Sequence, residues 1–67
     1  MFRYNVGDVV YRPLFNNDGT KNYVSFKVLA QDLKHGRRIY QVDDLLKSWF
    51  NEEELLTKEE ITQFLHN

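Results

Sequence analysis

Cysteine is absent from the 67 residues, which excludes disulfide staples, thiolate nucleophiles and cysteine-based metal sites. A chain of this size buries only about 60% of the surface its unfolded form exposes, so without staples it depends on tight packing. The same absence suits a reducing compartment, and the cytoplasm is the expected location. No apolar run approaches the roughly 20 residues of a membrane span. The opening Met1-Phe2-Arg3-Tyr4-Asn5-Val6-Gly7-Asp8 also lacks the apolar stretch of a signal peptide, so no membrane partner is expected. Catalytic motifs are missing too: there is no phosphate loop and no Gly-x-Ser-x-Gly elbow, and His35 and His66 lie far apart in sequence without metal-ligand spacing. No enzyme, metal or cofactor is expected.

Glycine and proline are scarce, three and one respectively, and no repeat, linker or low-complexity tract interrupts the chain. What is present is apolar and aromatic: 42% hydrophobic residues, with five Phe, four Tyr and one Trp, enough to offset the entropy of ordering. One globular domain over residues 1–67 is expected. Charge is segregated, with seven Lys/Arg against three Asp in residues 1–42 and two Lys against seven Asp/Glu in 43–67. Such halves either form two distinct surfaces or attract one another within the fold, the second being the simpler reading.

Gly7-Asp8 precedes Val9-Val10-Tyr11-Arg12, a β-branched and aromatic run that predicts a first strand, short or kinked, which Pro13 should confine to an edge or a bulge for want of an N–H. Asp18-Gly19, inside the turn-forming stretch 15–22, predicts a hairpin. Val24, Phe26, Val28 and Ala30 then alternate with more polar residues, the period of a strand with one buried face. Lys34-His35-Gly36-Arg37 predicts the next turn, after which Tyr40 and Val42 alternate with Ile39 and Gln41 in a third strand. Residues 43–47 fit a helical turn capped by Asp43 or a loop leading to a short strand at Ser48 to Phe50, and the loop is preferred. Thr57-Lys58-Glu59-Glu60 is a capping box that predicts a helix over 57–66, with Leu56 able to staple Ile61, and with Ile61, Phe64 and Leu65 as its docking stripe. His66 would complement the dipole at its end.

The order Val6-Gly7-Asp8-x-Val10, hairpin, Tyr40-x-Val42, then Ser48-Trp49-Phe50-Asn51-Glu52-Glu53-Glu54-Leu55 resembles small SH3-like barrel proteins of bacteria, their phages and mobile elements. The resemblance covers residues 4 to 55. It implies a mainly β, small α+β fold: a bent antiparallel sheet or partly open barrel of 4-5 strands, here extended by a C-terminal helix. It also implies a core-filling tyrosine in the third strand and a short helical turn after the tryptophan strand. Arg12-Pro13 departs from that pattern and leaves the register of the first strand open. Proteins of this fold bind proteins, peptides, DNA or RNA, so the fold alone selects no ligand.

Two binding readings arise from the residues. Tyr11, Tyr23, Lys27, Arg37 and Arg38 would share or border an outward sheet face beside Gln41, and with Arg12 they suit a nucleic acid, whose phosphates take cations and whose bases stack on rings. Against this, the pI near 6.0 is a weak footprint for a nucleic-acid binder. Leu29 and Leu33 fall on the polar side of the second strand, and adjacent Trp49 and Phe50 cannot both enter one core. These leftover apolar groups favour a contact with another protein or a second copy of the chain. That interaction module is the leading expectation. The Glu52-Glu53-Glu54 run is read as a solvated face, since it lacks the ligand spacing of a calcium loop.

Overall fold

The computed structural model describes residues 1–65, without the side chains of Phe64 and Leu65, so the reading of His66 and of the Phe64 and Leu65 stripe lies outside the described part. Among the described residues four antiparallel strands, β1 (Val9–Phe15), β2 (Lys21–Lys34), β3 (Arg37–Val42) and β4 (Trp49–Asn51), form one sheet in sequence order. The sheet curls into a half-barrel, followed by a 3-10 turn (Glu52–Glu54) and helix α1 (Lys58–Leu65). This is a small SH3-like α+β fold of mainly β character. No described helix is long and apolar enough to cross a membrane.

Turn chemistry places the reversals. Gly19 takes φ +88 in the first hairpin, where Asp18 accepts the Thr20 N–H at 2.9 Å. At the second, His35 and Gly36 both adopt positive φ (52° and 76°), the pair of conformations that matches strand twist across a two-residue loop. Residues 43–48 form the preferred loop: Asp44 accepts the Ser48 N–H at 2.7 Å, and Asp43 accepts that of Lys27 at 2.8 Å.

β1 runs through Pro13 to Phe15, longer than its composition suggests. Tyr11 exchanges both backbone bonds with Leu56 at 2.9 Å, which closes the sheet on its first strand. Two residues on, the Pro13 nitrogen faces that same outer edge, where a missing N–H costs no bond to β2.

β2 bends where its partners change. Residues 21–27 pair with β1 and residues 28–34 with β3, and the register slips between Val28 and Ala30. The extra residue at this bulge, Leu29, reverses which side chains face inward. Ala30 therefore lies opposite Gln41 on the outer side, and the expected inner face of Val24, Phe26, Val28 and Ala30 holds only through Val28. Val24 reaches the open rim and is exposed, whereas Phe26 packs against the core.

The core is Tyr4, Val10, Val28, Tyr40, Val42 and Leu55, with Phe2, Phe26 and Phe50 against it. Tyr40 is fully buried, and its hydroxyl uses every bond it can make. It accepts the N–H groups of Arg3 (3.0 Å) and Tyr4 (3.2 Å) and donates to Glu52 Oε2 at 2.5 Å. The Tyr4 ring meets it edge-on, and the Tyr4 hydroxyl donates to the Leu55 carbonyl at 3.1 Å. At the helix start, Glu60 accepts the Thr57 N–H and Thr57 Oγ1 accepts that of Glu60, at 2.9 and 3.1 Å. Arg3 Nη2 reaches Glu60 Oε1 at 2.6 Å, tying the N-terminal segment to α1, whose Ile61 is buried.

These contacts shift ionisation. The Tyr40 hydroxyl, aided by the Arg3 N–H and the Arg38 guanidinium, holds Glu52 below the usual 4.5, and the Thr57 N–H and Arg3 do the same for Glu60. Burial pushes Tyr4 and Tyr40 above the usual 10.0. A depressed carboxylate stabilises the fold above its unfolded value and loses that contribution as pH falls; a raised phenol loses its own as pH rises. Urea-unfolding free energy should therefore decline below about pH 4.5 and above about pH 10. Glu52→Gln should flatten the acid limb; an unchanged acid limb in that variant would contradict the role given to Glu52.

Candidate binding surface

The register sorts the expected site residues onto two faces. Val10 and Phe26 look inward, so the residues between them on β1 and β2 look outward: Val9, Tyr11, Pro13 and Phe15 opposite Lys27, Ser25, Tyr23 and Lys21. Tyr11, Tyr23 and Lys27 thus share one face, as expected, with Phe15 and Lys21 beside them. Phe15 is 72% exposed, and the Lys21 ammonium lies 5.7 Å from its ring centroid and 5.4 Å from that of Tyr23. Cations at such distances from ring faces gain about 0.5–1 kcal/mol at exposed sites, enough to order the lysine between the two rings.

Arg12 does not join them. It alternates with Tyr11, shares the inner side with Val10, and its guanidinium stacks 4.0 Å from the Phe50 ring centroid across the open end of the half-barrel. Its Nε is buried without a hydrogen-bond partner, so the arginine serves as a lid on the core. Arg38, opposite Leu33, lies on the Tyr40 side of β3, and its Nη1 stands 3.6 Å from Glu52 Oε1. Arg37 is exposed next to the His35-Gly36 turn, away from the β1–β2 face. The cation cluster expected from the sequence is therefore split, because Arg37 and Arg38 pair with the far half of β2 and Arg12 has inward parity.

Trp49 and Phe50 separate as strand alternation requires. Phe50 pairs with Tyr40 and packs on the core, and Trp49, opposite Gln41, is 45% exposed. Leu29 sits in the bulge and is 37% exposed, and Leu33 lies beyond the core near the hairpin tip. These groups fall at separate points of the sheet, Trp49 on β4, Leu29 in the bulge and Leu33 by the turn, whereas the rings on β1 and β2 share one outward face. Phe15 escapes sequence reasoning because its neighbours Asn16 and Asn17 mark it as loop; only the continuation of β1 through Pro13 brings it into the sheet.

A shallow groove of about 380 Å³ adjoins this face, running from Val9 and Tyr11 to Arg3, Asp8, Lys58 and Glu59 at the start of α1. Its charges are mixed, and among the described residues no three His, Asp or Glu gather to hold a metal ion. Compared with family models, curated proteins and solved structures, the chain matches none. Function must therefore be read from the geometry of the chain itself.

The two phenylalanines should respond oppositely to substitution. Phe15→Ser is expected to lower unfolding free energy by no more than about 1 kcal/mol, the scale of an exposed site that gives up its contact with Lys21. Phe50→Ala should cost about 2 kcal/mol or more through lost packing and an unstacked Arg12. Equal losses in urea unfolding would mean that Phe15 is part of the core.

Proposed function

We propose that this chain is a non-catalytic binding module of SH3-like architecture that works in the cytoplasm and docks another protein on the outer face of β1 and the first half of β2. One observation carries the reading. Phe15 projects into solvent beside Tyr23 and Pro13, with Tyr11 farther along the same outward face of a regular, hydrogen-bonded sheet. Rigid aromatic side chains with few rotatable bonds make strong interface anchors because little entropy is lost in ordering them. The sheet behind them has already met that cost. Nucleic acid is the weaker reading: Arg12 lies on Phe50, Arg38 near Glu52 and Arg37 by the far turn, which leaves two lysines among the rings.

A photo-crosslinking residue in place of Phe15, in cells, tests the reading. Discrete protein adducts are expected from position 15 and should fade when Tyr23→Ser is added. The same residue at Leu45, an exposed loop position off the sheet, serves as the control. An identical adduct pattern from both positions, or none from position 15, would contradict docking on this face.

A further inference from the structure

We propose that the partner segment is acidic: a stretch of protein in which carboxylates alternate with apolar or aromatic side chains. This rests on the face being a docking surface and adds the chemistry of what docks. The outward positions of β1 and of residues 21–27 hold two lysines and no carboxylate, in a chain whose net charge is −1. Three of the arginines are used inside the fold, Arg3 on Glu60, Arg38 near Glu52 and Arg12 on Phe50, whereas Lys21 and Lys27 stand on the ring-bearing face. Among the described residues neither Lys21 nor Lys27 has a carboxylate within ion-pair distance. On the face itself their positive charge meets no carboxylate, and rings lie between them.

Geometry narrows the partner further. Lys21 and Lys27 lie on one strand about 20 Å apart, the length of a six-residue extended segment. Between them lie the Tyr23 ring and, across the pair, Pro13 and Tyr11. A chain laid along β2 would place acidic side chains at the two ends and apolar ones over the rings. A second copy apposed face to face would set lysine against lysine, which like-charge repulsion disfavours. Single-stranded nucleic acid carries a phosphate at every nucleotide, a denser charge than two lysines over this length can neutralise.

The test is amide chemical-shift mapping of the full chain with three probes: a short synthetic peptide alternating Glu with Leu and Phe, the same peptide with Lys for Glu, and oligothymidylate. The acidic peptide alone should shift the amides of β1 and residues 21–27, more weakly as salt is added. Lys21→Glu with Lys27→Glu should reduce its affinity roughly tenfold with urea unfolding still cooperative, and Lys21→Gln with Lys27→Gln by less. Equal shifts from the lysine peptide, no shifts on this face, or the same shifts from oligothymidylate would overturn the proposal. Crosslinked adducts from position 15 that survive charge reversal would overturn the acidic partner while leaving the docking surface intact. Absence of adducts from position 15 with both lysines in place removes the surface itself.

Discussion

The Tyr40 hydroxyl stands where three separate parts of the chain meet. Two N–H groups from the N-terminal segment converge on it, and it donates to a carboxylate that begins the 3-10 turn after β4. In a core this small the arrangement is consequential, because a phenol buried without partners would forfeit about 1–3 kcal/mol of hydration. Its three bonds offset that loss and fix the spacing between residues 3–4, β3 and Glu52. Tyr4 extends the linkage by donating to Leu55, and the adjacent Leu56 closes the sheet onto Tyr11. The half-barrel is thus held shut by polar bonds inside an apolar shell, with Arg3 carrying the connection on to α1 through Glu60.

The bend in β2 matters as much for the surface as Tyr40 does for the core. An unbroken alternation along fourteen residues would have spread one apolar face over a flat ribbon. The bulge at Leu29 turns the second half of the strand, so Tyr40 and Phe50 can close over Val28 while the β1–β2 half presents its outer face separately. Arg12 completes the enclosure from the opposite side by lying on Phe50. The exposed rings of Tyr11, Tyr23 and Phe15 stay outside that closed unit, on a strand pair held by it.

Local signals were legible wherever the determining chemistry lies within a few residues. Thr57 with Glu60, Asp18-Gly19 and His35-Gly36 announce a cap and two turns, and each is where its residues place it. The alternation of Tyr40 and Val42 with Ile39 and Gln41 likewise marks a strand, and burial shows that the first pair faces inward. Features set by distant partners were not. The bulge has no distinctive residue at Leu29, yet it decides the side on which Ala30 and Leu33 fall. Arg12 reads as a surface cation until Phe50 is known to lie beneath it. Phe2 and Tyr4 carry no periodic pattern at all, and their burial follows from contacts thirty or more residues away. The candidate face was accordingly half visible: Tyr11, Tyr23 and Lys27 could be grouped by strand period, while Phe15 and Lys21 needed the register of the full hairpin.

Binding on such a face requires that the sheet beneath it stay rigid, which returns the matter to Tyr40. Tyr40→Phe, followed by urea unfolding together with amide hydrogen exchange, interrogates that dependence most directly. The variant should lose about 1–3 kcal/mol of stability, and the amides of Arg3 and Tyr4 should lose protection before those of the strands do. An unfolding curve that overlays the parent's, with both amides as protected as before, would contradict the claim that this hydroxyl holds the fold closed.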